Sequence, residues 1–233
     1  MSLYQMSKNI YKQKWDESYN RFENYIFYPK EEVVKFLNRF VRKKIGDNSF
    51  QDVLKLNDGG SIRGLDYGCG IGRMTMLMHE FNIDSFGVDI SKSAIQKAKE
   101  LFPILSKNFT VLDGERLPYE DSYFDISICE SVIDSMHFTV AKKVIKELDR
   151  VTNKLTFISF ISGDDSEHFR EFSGEEFVQT KHEQNTIQSW FNWSKINELI
   201  SNTNYKIKWA NLITEESLTD RYKYGRYYLI LEK

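Results

Sequence analysis

Residues 64–72 read GLDYGCGIG, and no other stretch restricts the fold of this chain so tightly. Gly64 to Tyr67 have the character of the end of a short buried strand. Gly68, Gly70 and Gly72 then place three glycines in five positions, and from Arg73 the pattern MTMLMHEF turns helical. Glycines in such a loop permit positive φ and close backbone approach, and the helix start that follows offers unpaired N–H groups and a partial positive potential. Strand, tight loop and helix in that order predict a cradle for a small ligand. Its identity depends on what surrounds the loop.

The flanking sequence alternates strand and helix. Asp84–Asp89 (DSFGVD) is predicted to be a strand ending in a carboxylate, and Ser91 to cap a helix from Lys92 to about Leu105. Asn108–Leu112 is a further strand followed by Asp113, and Phe124–Glu130 (FDISICE) another ending in Glu130. Phe138–Arg150, apolar at Val140, Val144, Ile145 and Leu148, is a helix, and Leu155–Phe160 a fifth strand. This alternation predicts a doubly wound, Rossmann-like α/β sheet with helices on both faces and ligands outside the carboxyl ends of its strands, the edge that carries the acids. Tyr205–Ile213 and Tyr224–Leu231 add an antiparallel C-terminal hairpin, making a mostly parallel seven-stranded sheet.

Before the loop, Tyr11–Phe22 suits a short helix with an aromatic face. Pro29, Glu31 and Glu32 open a second helix whose stripe Val33, Val34, Phe36, Leu37, Phe40 and Val41 ends near Lys43 and Lys44. Phe50–Gly60 reads as a polar connection with a short helical turn. Ser162–Asn192 is polar and aromatic without periodicity, holding His168, Phe169, Arg170, Phe172, Phe177, His182, Trp190 and Phe191, as expected of a lid. Ser194–Ile200 is a short helix capped by Ser194. The expected organisation is one domain: an N-terminal helical cap (1–60), a ligand-binding core (61–160), a lid insertion (161–193), and a C-terminal helix with antiparallel strands (194–233).

A length of 233 residues suits one generous domain, and 28% charged residues with a net charge of −2 argue against nucleic acid or an anionic membrane as partner. The high aromatic share, 15%, suits a ring-rich pocket. Two cysteines, Cys69 and Cys129, are too few for a disulfide framework and fit a reducing cytoplasm. No apolar run reaches the ~18 residues of a spanning helix and the first residues have no signal-like core, so a soluble cytoplasmic protein, monomeric or homodimeric, is expected. No His, Cys or acid cluster has metal spacing, and no metal is expected.

Three ligands compete for the loop. A Walker loop requires Gly-Lys-Ser/Thr, which is absent. A dinucleotide fingerprint is GxGxxG, whereas this loop is GxGxG; Asp89, seventeen residues after Gly72, would hold a ribose under either remaining alternative. The combination LDYGCGIG, GVDIS and VLDGERLPYEDSYFDISIC, in that order, resembles the class I S-adenosylmethionine-dependent methyltransferases, in particular the small-molecule branch called methyltransferase type 11, over about Ile62–Phe160. The resemblance implies that Asp66, Gly68, Cys69, Gly70 and Gly72 wrap the methionine part of S-adenosylmethionine. It also implies that Asp89 binds the ribose hydroxyls, Ile90 lies against the adenine, and Asp113, with Gly114 and Glu115, accepts from the adenine amine. A sulfonium is a cation without phosphates, so carboxylates and aromatic faces suit it, and Asp66, Glu130, Tyr67 and Tyr19 are candidates. The chain departs from the family at Val151–Lys154, where relatives carry Lys-Pro-Gly-Gly, and after the fourth strand, where Asp134, Ser135 and His137 replace a histidine pair.

The family's reaction is a direct in-line displacement that leaves S-adenosylhomocysteine, and the protein supplies chiefly position and exclusion of water. His137 is the candidate base, with a histidine at a helix entry as the equally weighted structural reading. His168, His182 and Trp190 in the lid are candidate acceptor contacts; Trp190 equally suits packing of the last helix. The expected acceptor is a small molecule offering O, N, S or C. Methylation of protein or RNA, and cofactor binding without catalysis, are the alternatives.

Overall fold

The computed structural model describes residues 3–56, 60–113, 116–164, 174–180, 183–219 and 221–233. Helix α1 covers Leu3–Asn20, so it starts well before the predicted Tyr11 and stops where Phe22 takes φ 61°. Helix α2, Glu31–Phe36, opens with Glu31 and Glu32 where the helix dipole favours acids, then widens into a π turn over Leu37–Val41. Contrary to the predicted end at Lys43 and Lys44, the helix stops at Arg42, which is already extended (φ −153°). Strands β1 (Arg42–Gly46) and β2 (Ser49–Asp52) pair there as a hairpin, replacing the predicted polar connection. Their side chains are almost all exposed, so no apolar alternation announces them. Arg42 alone is buried, its Nη1 donating to Asn82 O at 2.5 Å.

The core follows in regular alternation: β3 (Arg63–Tyr67), α3 (Arg73–Glu80), β4 (Asp84–Asp89), α4 (Lys92–Leu101), β5 (Phe109–Val111), β6 (Phe124–Cys129), α5 (Phe138–Val151) and β7 (Thr152–Ile161). Ser91 caps α4, its Oγ accepting from Ala94 N at 3.1 Å. The helix ends before the predicted Leu105 because Pro103 disfavours helix at the residue before it and starts a 3-10 turn. Within the segment read as a lid without periodicity, β8 (Glu175–Phe177) and β9 (Ile187–Ser189) form a small hairpin. Helix α6 (Trp193–Ile200) is capped by Asn192, whose Oδ1 accepts from Lys195 N at 2.8 Å, so Ser194 lies inside the first turn rather than at the cap. Strands β10 (Lys206–Glu216) and β11 (Lys223–Glu232) close the chain.

The seven-stranded sheet has the order β10-β11-β7-β6-β3-β4-β5. The five strands from β7 to β5 run parallel; β11 is antiparallel to both β7 and β10. Such strands, covered on both faces, are near-continuously apolar, and β6 is buried at Phe124, Ile126, Ile128 and Cys129. On one face Val144, Ile145 and Leu148 of α5 and Ile196 of α6 pack with Leu65, Ile158 and Leu229; on the other, Phe36 of α2 and Met74 and Met78 of α3 pack with Ile126, Phe157 and Ile230. Each such side chain contributes about 1.5–3 kcal/mol by leaving water. From β3 the chain winds to β4 and β5 on one side, then returns to β6 on the other. The carboxyl ends of β3 and β6 therefore flank the topological switch point, where an open α/β sheet has its crevice.

Candidate active site

Beyond β3 the loop takes left-handed conformations at Gly68 (φ 73°), Gly70 (φ 53°) and Gly72 (φ 88°). A side chain at Gly70 would be excluded twice, by that conformation and because its Cβ would stand 2.4 Å from the Tyr19 hydroxyl. The amides of this loop are not bare, as the sequence suggested. Gly68 N and Cys69 N donate to Val88 O at 2.8 and 3.0 Å, Gly72 N to Cys69 O at 2.9 Å, and Gly70 N to Asp89 Oδ2 at 2.9 Å. The bonds from Gly68, Cys69 and Gly70 fasten the loop to the end of β4.

Two buried carboxylates brace the cradle. Asp66 Oδ2 accepts from Thr75 Oγ1 at 2.7 Å, joining β3 to the first turn of α3, and burial pushes its carboxyl up to about 7. Asp89 accepts from Gly70 N and, through Oδ1, from Ser91 N at 2.8 Å; burial pushes it up to about 6. A cavity of about 290 Å³ opens at the switch point. Its walls are Asp66 and Gly68–Ile71 from the loop, Tyr19 from α1, Glu130, Ser131 and Asp134 after β6, Ile187 and Gln188 from β9, and Arg226 from β11. Glu130 accepts from Ser131 Oγ at 2.5 Å and faces Arg73 Nη2 at 3.4 Å.

Helix α1 lies across this edge. Asp16 Oδ1 accepts from Ser91 Oγ (2.6 Å) and Ser93 N (3.1 Å), Lys12 Nζ lies 2.9 Å from Asp113 Oδ1, and Tyr11 Oη lies 2.9 Å from His137 Nε2. Past the helix, Glu23 Oε2 accepts from Glu183 N at 3.1 Å, meeting the segment around the β8–β9 hairpin. Asp113 is largely exposed.

The remaining expected site residues fall in several places. His137 precedes α5 and is hydrogen bonded at both ring nitrogens, Nδ1 lying 2.9 Å from Glu175 Oε2, and it does not line the cavity. Trp190 is partly buried and also stands outside the lining. Tyr67 is in the core beneath the sheet edge, with Ile90 packed against the same cluster. Gly114, Glu115, His168 and His182, with Phe169, Arg170 and Phe172, lie outside the described residues. Among the described residues no group of three or more His, Cys, Asp or Glu could hold a metal ion, and no helix is long and apolar enough to cross a membrane.

The sequence reading missed a buried ion pair. Arg226 Nη1 stands 2.8 Å from Asp134 Oδ2, and both residues line the cavity. An arginine inside the apolar run YGRYYLIL was the available signal, since a charge in a buried strand needs a partner.

The donor set fits S-adenosylmethionine better than a nucleotide phosphate. Buried carboxylates and a tyrosine ring stand at the loop, and the loop itself carries no lysine; Lys30, just before α2, and Arg73, at the start of α3, also line the cavity. A family model described as "Methyltransferase domain" matches residues 59–216. A sterol 4-C-methyltransferase of Caenorhabditis elegans is 28% identical over 101 residues, 42% of this chain and 30% of that protein, so the match spans less than a third of the relative's length. A structure of a SAM-dependent methyltransferase from Methanosarcina mazei has a TM-score of 0.64 at 19% identity, covering 74% of this chain and 92% of the other. Magnesium protoporphyrin IX methyltransferase from Synechocystis PCC 6803, with bound SAM, has a TM-score of 0.51 at 18% identity, covering 76% and 73%. With its glycine loop, sheet order and matching domain model, the chain belongs to the methyltransferase domain family, among the class I S-adenosylmethionine-dependent methyltransferases.

Proposed function

We propose that this protein transfers a methyl group from S-adenosylmethionine to an O, N, S or C nucleophile of a small-molecule acceptor, by direct in-line displacement. The observation that carries the acceptor class is the size of the cavity, about 290 Å³. The glycine loop forms one wall, and α1 and the β8–β9 hairpin two others. This favours a small acceptor over a protein or RNA.

The cofactor supplies an activated methyl on a cationic sulfur; everything else is asked of the chain's own side chains. Asp66 and the loop backbone seat the methionine part, with Glu130 and Tyr19 adding negative charge and an aromatic face. Asp89 is assigned to the ribose hydroxyls, Ile90 to the adenine face, and Asp113, with Gly114 and Glu115, to the adenine amine. Tyr19 closes over Gly70 and excludes water. Residues 161–193 act as the lid, their hairpin presenting Ile187 and Gln188 to the acceptor. His137, held between Tyr11 and Glu175 and away from the cavity, is given no proton to move.

Thermal shift with S-adenosylmethionine, S-adenosylhomocysteine and NAD in parallel tests the donor. The first two should stabilise the fold by about 2.7 kcal/mol at a hundredfold excess over Kd; stabilisation by NAD alone would overturn the reading. Methyl-labelled cofactor incubated with a cell extract should then label the low-molecular-weight fraction. Label confined to protein or RNA would overturn the acceptor class.

A further inference from the structure

The Asp134 carboxylate is held in an unusual way. It sits in the 3-10 turn Ile133–Ser135 that follows β6, and it is 4% exposed. Its Oδ2 accepts from both Ile161 N at 2.9 Å and Arg226 Nη1 at 2.8 Å. Arg226 is itself fixed, through Nε to Tyr224 Oη at 2.7 Å and through Nη1 to Ser159 Oγ at 3.1 Å. The carboxylate therefore cannot turn without breaking bonds from two strands, β7 and β11. Its other oxygen, Oδ1, is buried and has no hydrogen-bond partner among the described residues, although Asp134 lines the cavity.

A buried, unmatched carboxylate oxygen is costly, because water is lost and nothing replaces it. Such a group is retained where an occupant completes it. Resting on the methyltransferase reading above, we infer that Asp134 is a catalytic residue that accepts a hydrogen bond, and then the proton, from an acceptor bearing N–H or O–H. The acceptor class narrows to amines, alcohols and phenols, and excludes thioethers and tertiary amines. In the step the acceptor heteroatom's lone pair forms the bond to the methyl carbon while the carbon–sulfur bond breaks, its electron pair leaving on sulfur. The acceptor's proton passes to Asp134 Oδ1 and later to solvent, so one sulfonium charge and one carboxylate charge disappear together. Arg226 is a positioning residue that keeps Oδ2 occupied and leaves Oδ1 unpartnered.

The test compares two probes of one carbon skeleton, 1-phenylethylamine, a donor at neutral pH, and acetophenone, an acceptor only. Each is titrated calorimetrically into the full-length protein saturated with S-adenosylhomocysteine. The unsubstituted protein should bind the amine at least tenfold more tightly than the ketone. Asp134→Asn keeps an oxygen for Ile161 N and Arg226 and places an NH₂ at the Oδ1 position, so it should reverse the preference, which a merely structural role would not do. Glu100→Gln, a change at an exposed acid of α4 outside the cavity, should leave the preference intact. No preference for the amine in the unsubstituted protein, or an unchanged preference in Asp134→Asn, overturns the inference. If Asp134→Asn fails to bind S-adenosylhomocysteine, the unsubstituted protein and Glu100→Gln decide alone, and loss of the preference in the latter overturns it. Failure of the unsubstituted protein to bind S-adenosylhomocysteine at all instead overturns the methyltransferase reading.

Discussion

Asp66 and Asp89 carry opposing demands. A carboxylate taken out of water is destabilised, and burial raises Asp66 from 3.8 to about 7 and Asp89 to about 6. Between its ordinary and its raised value each folded carboxyl holds a proton that the unfolded chain has released. Their contribution to stability therefore falls as pH rises through that window and recovers as pH falls. Asp66→Asn removes one such group. The Tm advantage of the variant over the unsubstituted protein should be largest at pH 8 and shrink by roughly 5 °C towards pH 5, as scanning calorimetry would show; a gap independent of pH would remove Asp66 from this role. Asp89→Ala should weaken S-adenosylhomocysteine binding by about 1.5–3 kcal/mol, because charge-assisted acceptors are lost and the Gly70 amide is released. Calorimetry would check this, and unchanged affinity would place the ribose elsewhere. Gly70→Ala meets both the left-handed penalty of about 1–2 kcal/mol and the Tyr19 hydroxyl, so it should lower stability and cofactor affinity together.

Among the elements, those that sit against the sheet were readable and those that border the site were less so. Strand β4 matches its predicted Asp84–Asp89 span, and α5 and β11 differ from prediction by at most two residues at each end, because burial on both faces writes apolar runs into the sequence. The β1–β2 hairpin has no buried face and so left no period to find. The cradle was legible in its glycines, but not the internal bonding of its amides, since Val88 O and Asp89 Oδ2 reach the loop only once β4 lies beside β3. The pairing of Asp134 with Arg226 was missed because they are 92 residues apart and meet only through the sheet. The hairpin also explains the start of α5. Glu175 Oε1 accepts from Phe138 N at 2.7 Å, capping the helix from a distance. Glu175→Ala should cost about 1 kcal/mol of unfolding free energy in a denaturant titration. Helix α1, fastened through Asp16 and Tyr19, should show slower amide exchange when S-adenosylhomocysteine is bound, since the ligand and the helix cover the same edge. Equal exchange in both states would separate them.

At the scale of the whole molecule, the antiparallel β11 does more than finish the sheet. It carries Arg226 to the cavity and fixes the turn after β6 from the far side of β7. Arg226→Met would leave Asp134 buried and unpaired, and should cost about 3–5 kcal/mol in chemical denaturation; a loss under 1 kcal/mol would show that the pair is readily replaced. The placement of α1 has a further consequence, for the order in which the protein assembles. Its contacts run forward to Ile71, Ser91, Asp113 and His137, separations of up to 126 residues. On the ribosome the helix emerges before any of its partners and must wait, undocked, until the strands that hold them have paired. The cover of the site is thus made before the strands it covers, and the cradle forms open before it can be closed.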